Sequence, residues 1–457
     1  MTVPVAGGPC ARYVSPTGDD GAAGSRSAPW ATIQHASEAV PDSACTVWIA
    51  DGTYRSPTEI DRTFATRTVF RAEHPYHAEF VSDGSALDLG GNARNMVFTG
   101  LQFRQTGPSA VGVMVYVSGN DAGTEAPSDI TFTNDVFHDS WGDDLMKIRG
   151  RSHSIVVRDN IFYNQSDQGQ GEQHIDVNSA SDVTIEDNVF FNDFAASGRP
   201  DDHVSQHFIV VKDSGGSADG QVGSLNVTIA RNVFLHYEGD RASMIAIGND
   251  GKPYYEAQHV TIADNLMLGD GPDELYAALT INGARDVSFL NNTVAGDLPS
   301  EYFGFQIGQK GQNPQNQQIT LANNIWCDPT GTMSTVSGGT PSAVSGLTLD
   351  RNLYWNAGNA IVPGALIGSL SAPNGLVGDP GVRAKETIAL PWWNGTGFAS
   401  GDRTVRDAFV RIVSTYGAIP GSSPAVGAAD PALAPPTDIL GRPRGSTPDI
   451  GAFETAN

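Results

Sequence analysis

The nine residues SIVVRDNIF, at positions 154–162, contain a pattern that recurs throughout this chain of 457 residues. Further copies read DVTIEDNVF at 182–190, NVTIARNVF at 226–234 and HVTIADNLM at 259–267, and others begin at Asn95, Asp129, Asp286, Gln318 and Gly346. Each copy alternates apolar and polar residues, passes through a corner that usually holds an Asn, and then returns to apolar residues. Alternation of Val, Ile, Thr and Phe predicts a β-strand, and the Asn predicts a sharp turn after it.

The copies recur at intervals of about 25–45 residues, the range of solenoid coils joined by loops of variable length. Another kind of strand lies between them, as in LMKIRG at 145–150 and HIDVNSA at 174–180. Three strands per coil predict a three-sided prism with an apolar interior. The corner asparagines are predicted to bond along the stack and to be structural: Asn160, Asn188, Asn232, Asn265, Asn292, Asn324 and Asn352. The sequence therefore predicts an all-β fold, a right-handed single-stranded parallel β-helix.

Each coil of such a solenoid buries its apolar side only against its neighbours, so both ends need a cover. Residues 1–60 are predicted to form an N-terminal cap and the first rung, with a short amphipathic helix in WATIQHASEAV at 30–40. Residues 61–380 are predicted to form the β-helix. Residues 381–457, rich in Pro and Gly, are predicted to hold the last rungs and a covering tail.

The two ends of the chain carry further motifs. The opening YVSPTGDDGAAGSRSAPWATIQHA at 13–36, followed by VWIADGTY at 47–54, resembles the start of many secreted β-helix enzymes, and RPRGSTPDIGAFE at 442–454 is similar to the tail of many bacterial members. The chain thus resembles the pectate-lyase-like superfamily over nearly its whole length, with a looser similarity to the chondroitinase B and alginate lyase families. The resemblance implies the β-helix and an action on polysaccharide, while the fold itself hosts several chemistries.

The chain is strongly acidic, with a formal net charge of -24. Such a field repels nucleic acid and anionic membranes, so neither is an expected partner. It also repels an acidic polysaccharide, and a site for one must gather cations locally. No apolar run is long enough to span a membrane and no signal peptide is visible. The composition still favours a secreted protein, expected to be a monomer. Cys10 and Cys45 can form a disulfide or a reduced buried pair, and Cys327 is expected in the core.

Alignment of the strands between the copies predicts that one face of the solenoid gathers functional side chains. If Val117, Ile148, Val177 and Val211 stack inward, their neighbours alternate outward. The outward positions then hold Tyr116, Lys147, Arg149, His174, Asp176, Asn178 and Lys212. Long polar loops at 139–144, 163–173 and 192–207 lie beside the same coils, where ligands of solenoids usually bind. Solvated surface charges are the alternative interpretation.

This patch suits β-elimination of a uronic-acid polymer, which needs the sugar carboxylate neutralised, a base at C5 and an acid for the leaving oxygen. Arg149 can hold the carboxylate through its planar fork. Lys147, Lys212 or His174 can be the base, the lysines with a pKa lowered by neighbouring cations. Tyr116 can be the acid. The predicted substrate contacts are Asn178, His207, Trp141 and Asp176, with His203 in reserve.

A Ca²⁺ site is a further possibility, because carboxylates lie close together in the same coils. The predicted ligands are Asp143, Asp144, Glu172 and Asp176. GEQHIDVNS at 171–179 loosely resembles the acidic strand motif that holds Ca²⁺ in chondroitinase-B-like and alginate lyases, with His174 in place of one acid and no Lys at the matching position. The acidic residues can instead cap backbone amides at corners.

Several functions compete on this fold. The leading hypothesis is a polysaccharide lyase, and a C5-epimerase shares its first step. A glycoside hydrolase would need a pair of carboxylates from the same four acidic residues. A binding or tailspike-like protein would need an aromatic groove without catalytic groups.

Overall fold

The computed structural model describes residues 10–55, 57–120, 122–166, 172–199, 205–371, 373–383 and 387–455. They form three long parallel sheets that wind around one interior, which confirms the predicted β-helix. Sheet 1 contains β1 (Ala11–Val14), β2 (Thr46–Ile49), β5 (Thr63–Ala72), β8 (Arg94–Thr99), β11 (Ser128–Thr133), β14 (His153–Arg158), β17 (Ser181–Glu186), β20 (Ser224–Ala230), β23 (Ala257–Ala263), β26 (Ala284–Leu290), β29 (Asn316–Ala322) and β32 (Val344–Asp350).

Sheet 2 contains β4 (Thr58–Ile60), β7 (Leu87–Leu89), β10 (Val115–Ser118), β13 (Met146–Arg149), β16 (Ile175–Asn178), β19 (Ile209–Lys212), β22 (Ser243–Ile247), β25 (Leu275–Asn282), β28 (Ser300–Gly308) and β31 (Thr335–Gly339). Sheet 3 contains β3 (Gly52–Tyr54), β6 (Ala78–Ser82), β9 (Leu101–Gln105), β12 (Val136–His138), β15 (Ile161–Tyr163), β18 (Val189–Phe191), β21 (Val233–Phe234), β24 (Leu266–Gly269), β27 (Thr293–Gly296), β30 (Ile325–Cys327), β33 (Leu353–Trp355) and β34 (Leu376–Val377).

The α-helices are short and lie outside the coils. They are α1 (Ile33–Ala39) and α2 (Val405–Ile412), and α2 continues into a π-helical turn at Val413–Gly417. Two 3₁₀ turns lie at Gly216–Asp219 and Pro341–Ala343. No helix among the described residues is long and apolar enough to cross a membrane.

The asparagines at the corner between sheets 1 and 3 form a continuous ladder of buried amides. Asn232 Nδ2 donates to the carbonyl of Ile185 at 2.9 Å and to Asn265 Oδ1 at 3.1 Å. Asn232 Oδ1 in turn accepts the backbone N–H and the Nδ2 of Asn188, both at 3.0 Å. The ladder satisfies the polar groups of a corner that is sealed from water, as the sequence predicted.

Asp135 takes the place of an asparagine at the first rung of this ladder. Its backbone N–H donates to Asn160 Oδ1 at 2.9 Å, and its own Oδ1 accepts the N–H of Leu101 at 2.7 Å. A carboxylate cannot donate along the ladder as an amide does. Burial raises the pKa of Asp135 well above its usual range. The two hydrogen bonds that its carboxyl accepts from backbone N–H groups lower the pKa, but by less than burial raises it.

We expect Asp135→Asn to stabilise the protein by about 1–3 kcal/mol near pH 8, because the amide removes a buried ionisable group and restores a donor. An Asp whose pKa is raised by folding stabilises the native state below its unfolded pKa and loses that contribution as pH rises. The gain should therefore shrink towards pH 4. Urea unfolding of both proteins at pH 4 and pH 8 measures it, and an equal difference at the two values would contradict the assignment.

The interior is filled by stacked columns of apolar side chains. Phe137 lies 4.5 Å from Phe162 between ring centroids, and Phe162 lies 5.1 Å from Phe190, with the rings nearly parallel. Such offset aromatic contacts add to the burial of apolar area. They also fix the coils in register, so the outward positions of sheet 2 align as well.

The N-terminal end is closed by α1, as predicted. Thr32 caps the helix by accepting the N–H of His35, and Ile33 and Ala36 face the core. Cys10 and Cys45 form a disulfide that ties the first strand to the second. Of the two states that the sequence allowed for this pair, the structure contains the disulfide.

The chain after β34 returns along the outside of sheet 3. Its apolar residues, including Phe409 and Ile450, pack on outward side chains of sheet 3 such as Ile161 and Val189. Within the RPRGSTPDIGAFE motif, Arg444 lies within ion-pair distance of Asp264 and at 2.9 Å from Glu454, all buried. The described part of the tail therefore covers the outer face of sheet 3.

Candidate active site

The outer face of sheet 2 brings the predicted polar residues into register across adjacent strands. Tyr116 pairs with Lys147, and Lys147 pairs with Asp176. In the next outward column, Arg149, Asn178 and Lys212 are successive partners on β13, β16 and β19. The predicted alignment of these strands is confirmed, and the cations lie on β13 and β19, on either side of Asp176 and Asn178 on β16.

Lys147 lies between two buried carboxyl groups. Its Nζ is 2.7 Å from Asp176 Oδ2 and 3.1 Å from Asp144 Oδ2, and its side chain is 20% exposed. Desolvation lowers the pKa of Lys147, but Asp176 and Asp144 outweigh it and raise that pKa overall. The prediction that neighbouring cations lower the pKa of this lysine is wrong, because its nearest neighbours are acids.

The two carboxyl groups beneath Lys147 have pKa values that move in opposite directions. Burial, with the negative charge of Asp176, raises the pKa of Asp144 to about 8 against the pull of Lys147. Asp176 feels the same burial, but Lys212 and Lys147 together lower its pKa. Of the two carboxyl groups, Asp176 is therefore the one that ionises more readily.

Lys212 stands on β19, two rungs from Lys147, with its side chain 15% exposed. Its Nζ is 3.8 Å from Asp176 Oδ2 and 3.5 Å from Asp250 Oδ1. Asp176 raises the pKa of Lys212 more than desolvation lowers it, and Asp250 adds to the increase. The prediction that neighbouring cations lower the pKa of Lys212 is therefore also wrong, and Lys212 is an ammonium at neutral pH.

Arg149 donates a hydrogen bond from Nη1 to the hydroxyl of Tyr116 at 2.9 Å. Arg149 and Lys147 line a cavity of about 320 Å³ together with Asn178 and Ser214. Asn178 Nδ2 donates to Ser214 Oγ at 2.8 Å, and the N–H of Ser214 donates back to Asn178 Oδ1 at 3.0 Å. The cavity therefore has a cationic wall and an amide wall held by a loop, and Asp219 of that loop also lines it.

His174 is not on this face, which corrects the prediction that it is a catalytic base. Its ring is fully buried, 4.7 Å from Phe208 and 5.8 Å from Phe190 between centroids, and its Nε2 lies 3.0 Å from Asn192 Oδ1. Desolvation lowers the pKa of His174 to about 3. A neutral imidazole without access to solvent cannot exchange a proton with a substrate on sheet 2.

The proposed substrate contacts have different environments. Asp176 is fully buried beneath the lysines, so it can position them but cannot touch a ligand. Trp141 is covered on one ring face by the Arg199 guanidinium, whose Cζ lies 4.1 Å from the ring centroid, so that face is closed to a sugar. His207 lines a second cavity on the same sheet, of about 380 Å³. His203 lies outside the described residues.

The predicted Ca²⁺ ligands do not converge. The carboxylates of Asp144 and Asp176 hold Lys147, and Glu172 is fully buried. Asp143 Oδ1 accepts the N–H of Asp144, which is the amide-capping role that the sequence left open. Within the described part of the chain, no three His, Cys, Asp or Glu side chains form a group that could hold a metal. These residues do not fit a Ca²⁺ ion, and a requirement for Ca²⁺ stays a prediction.

Two neighbours of the cluster were not identified from the sequence. Asp250 and Ser214 lie on loops that follow β22 and β19, and they contact Lys212 and Asn178. Both loops begin directly after strands of sheet 2, which is the signal that could have placed them. Their side-chain directions depend on the path of the loop, which strand alternation does not determine.

No protein-family model matches the chain, and no curated protein sequence is similar to it. Solved structures are similar in fold. Pectate lyase Pel9A has a TM-score of 0.53 at 14% identity, covering 98% of this chain and 96% of its own. The complex of XylC with xylose has a TM-score of 0.53 at 10% identity, covering 98% of both chains. A glycoside hydrolase has the same TM-score at 10% identity, over 75% of this chain and 96% of its own. The chain thus has the pectate-lyase-like fold, which by itself does not select a reaction.

Proposed function

We propose that the protein is a polysaccharide lyase that cleaves a uronic-acid polymer by β-elimination on the outer face of sheet 2. One observation carries the proposal: Lys147 and Arg149 on β13 and Lys212 on β19, two rungs further, reach solvent on one face of a protein of net charge -24. Asp144 and Asp176 lie buried beneath them, and Asp250 lies beside Lys212. A cationic strip of this kind is suited to the carboxylates of a polyanionic sugar.

The chemistry begins with the carboxylate next to C5, because its negative charge opposes removal of the C5 proton. Arg149 is suited to bind that carboxylate through two N–H groups, and Lys147 adds a fixed positive charge on the same strand. Both groups would stabilise the enolate-like charge that develops on the carboxylate oxygens as the proton leaves. Asp176 and Asp144 act as positioning residues that hold Lys147 in place.

Two groups on this face can exchange a proton with the sugar. Tyr116 lies beside Arg149, and the guanidinium would offset charge that develops on the phenol oxygen. Lys212 carries a proton at neutral pH and can give it to the leaving oxygen, or act as the base once deprotonated. The geometry supports both assignments of the base.

If Lys212 is the base, the rate is expected to rise with pH between pH 7 and pH 9, because Lys212 must lose a proton and its pKa is raised by Asp176. Lys212→Arg keeps the charge but not the titration, and Tyr116→Phe removes the phenol oxygen alone. If Lys212 is the base, Lys212→Arg should abolish the β-elimination activity. If Tyr116 is the base, Tyr116→Phe should abolish it instead. Initial rates of the two variants distinguish these assignments, and a wild-type rate that falls between pH 7 and pH 9 would contradict Lys212 as the base.

The hydrolase hypothesis is less well supported by the same contacts. Its carboxylate pair would come from Asp143, Asp144, Glu172 and Asp176. Three of these side chains are buried, Asp144 and Asp176 against Lys147, so they cannot reach a glycosidic oxygen on the surface. Asp143 alone of the four is partly exposed, and one carboxylate does not make a pair. An epimerase would share the proton abstraction at C5 and differ only in returning the proton to the opposite face.

A panel of uronic-acid polymers tests the proposal. Polygalacturonate, alginate, hyaluronan and unsulfated chondroitin are incubated with the protein, once with Ca²⁺ and once with a chelator. A lyase produces new reducing ends together with ultraviolet absorbance of the unsaturated uronate. Reducing ends without absorbance would identify a hydrolase. A change of stereochemistry at C5 without cleavage would identify an epimerase. No change in any polymer would refute the proposed function.

We also propose that the protein is secreted. The disulfide between Cys10 and Cys45 supports this, since such bonds persist mainly in oxidising compartments. Separation of cells from medium, with detection of the full chain in each fraction, tests the location.

A further inference from the structure

The loop at 249–252, which follows β22, is fastened to the solenoid by the carboxylate of Glu256. Glu256 is fully buried and directly precedes β23. Its Oε2 accepts the backbone N–H groups of Asn249 and Asp250, both at 2.9 Å, and its Oε1 accepts that of Lys252 at 3.1 Å. A buried carboxylate needs such donors, and here the same hydrogen bonds fix the path of the loop.

The loop that follows β28 holds the same segment from a later coil. Asn313 Nδ2 donates to Glu256 Oε1 at 2.7 Å and to the carbonyl of Lys252 at 3.0 Å. The N–H of Gln312 donates to the carbonyl of Gly251 at 2.8 Å. The loop at 249–252 is therefore held both by Glu256 and by a neighbouring loop, so its side chains start from a fixed backbone.

This anchoring places the carboxylate of Asp250 beside Lys212, since β19 and β22 are adjacent strands of sheet 2. Asp250 Oδ1 is 3.5 Å from Lys212 Nζ, and Asp176 Oδ2 is 3.8 Å from the same nitrogen. The Asp176 side chain is fully buried, whereas that of Asp250 is 22% exposed. The ammonium of Lys212 therefore has two acidic neighbours, one beneath the sheet surface and one on the anchored loop.

The other ionisable groups around Lys212 do not take the place of Asp250. Asp176 raises the pKa of Lys212 most, and Asp250 raises it more than Asp144 does, while Lys147 and desolvation lower it. Burial lowers the pKa of His207 to about 4, so this nearby ring is neutral at pH 7. Asp250 is therefore an acid beside Lys212 that can be replaced without touching the buried carboxyl groups beneath the lysines.

We propose that Asp250 is a positioning residue for Lys212, and that the buried Glu256 gives it this role by fixing the loop at 249–252. A lysine side chain is long and flexible, and proton transfer to or from a sugar requires its nitrogen at a defined place. Without Asp250, the ion pair with Asp176 alone would remain among the described ion pairs of Lys212. The inference rests on the proposed function for the role of Lys212 in the reaction.

Competitive labelling of the lysines with acetic anhydride tests the inference without any substrate. The label on each lysine peptide, measured by mass spectrometry, reports how readily that amine loses its proton. In Asp250→Asn we expect the label on Lys212 at pH 9 to increase by about 2–5-fold, the value of one partly exposed ion pair. Lys310, whose Nζ donates to Asn249 Oδ1 at 2.9 Å, is the internal reference for the position of the loop and should not change.

Three further variants separate positioning from a general loss of structure. Asp250→Glu keeps the charge and should restore most of the wild-type labelling of Lys212. Glu256→Gln leaves Asp250 in place but has one acceptor oxygen instead of two, so the loop loosens and the label on Lys212 should also increase. Asp286→Asn removes an exposed acid that pairs with His259 on sheet 1, and it should leave Lys212 unchanged. Unfolding midpoints verify that each variant is folded.

The pH dependence of cleavage gives a second measurement, on a polymer that the wild type degrades. Asp250→Asn removes a charge that raises the pKa of Lys212. The limb of the pH–rate profile that belongs to Lys212 should therefore move to lower pH, whether this residue is the base or the acid. Asp286→Asn should not move it. An unmoved profile together with increased labelling would contradict proton transfer by Lys212 and leave its positioning by Asp250 intact.

Unchanged label on Lys212 in Asp250→Asn, or an equal increase on Lys310, would overturn the inference. An increase in Asp250→Asn but not in a folded Glu256→Gln would refute the part assigned to Glu256. Increased label on Lys212 in both variants, with recovery in Asp250→Glu, is the result that the loop geometry predicts. Absence of cleavage for every polymer would refute the proposed function alone, because the labelling requires no substrate.

Discussion

Replacement of Arg149 by Ala is expected to lower the initial rate of β-elimination by about 10²–10³-fold, the usual effect of removing one group that stabilises developing charge. Arg149 lines the cationic cavity beside Lys147 and donates to the hydroxyl of Tyr116 at 2.9 Å. The variant therefore loses the guanidinium that would bind the sugar carboxylate. It also loses the hydrogen-bond donor to the Tyr116 hydroxyl, which is a candidate for proton transfer. The ultraviolet absorbance of the unsaturated product, on the polymer that the wild type degrades best, measures the loss.

Two further variants make this result specific to the position. Arg149→Lys keeps the charge but lacks the planar pair of N–H groups, so it should restore only part of the rate. Arg151→Ala removes an exposed arginine two residues away, which faces a different cavity and donates to the carbonyl of Gly123, and it should leave the rate unchanged. An Arg149→Ala enzyme that keeps more than half of the wild-type rate would contradict the role of this residue.

Replacement of Lys147 by Met is expected to destabilise the fold by about 3–5 kcal/mol at pH 8, because it leaves a buried carboxylate without its closest cation. Asp176 is fully buried and would lose its ion pair with Lys147 at 2.7 Å. Its remaining ion pair, with Lys212, is longer, at 3.8 Å. In the variant the pKa of Asp176 must rise. The penalty is present above that pKa and disappears as the pH falls through it, because the carboxyl then becomes neutral.

Urea unfolding of Lys147→Met at pH 8 and pH 5 tests this dependence, with a larger loss expected at pH 8. Lys310→Met is the matched control, since Lys310 is exposed and contacts Asn249 alone among its described hydrogen-bond partners, and it should change stability by less than about 0.5 kcal/mol. Equal losses for the two variants would show that the buried ion pair does not stabilise the cluster.

The coil architecture and the register of sheet 2 could be predicted from the sequence because both follow from local patterns. The corner asparagines identify one corner of each coil, and alignment on Val117, Ile148 and Val177 then places Lys147 opposite Asp176. That pairing also contained the information that acids, not cations, adjoin Lys147. The pKa prediction was wrong because it considered only the cations of the outward columns.

The orientation of His174 could not be obtained from strand alternation, since β16 begins one residue later and the chain bends at that point. A comparison of aligned positions contained the missing signal. Met114, Leu145 and Phe208 occupy the same position before their strands, and all are fully buried. A column of apolar residues indicates an inward position, whatever the residue type of one member.

The course of the tail over sheet 3 was only partly predicted, although its partner surface has a sequence signature. Ile161 and Phe162 are consecutive apolar residues, as are Val189 and Phe190, and consecutive apolar residues indicate a strand buried on both faces. The inner member of each pair belongs to the main core, and the outer member packs against the tail. The contacts of the tail itself depend on long-range ion pairs such as Arg444 with Asp264, which have no local pattern.

A crystal structure of a slow variant, Tyr116→Phe or Lys212→Arg, with a bound uronic-acid oligosaccharide tests the central claim most directly. The account predicts a uronate carboxylate within hydrogen-bond distance of Arg149 and Lys147, with C5 of the same sugar facing residue 116 or residue 212. An oligosaccharide bound on sheet 1, or one on sheet 2 whose carboxylates contact neither cation, would contradict it.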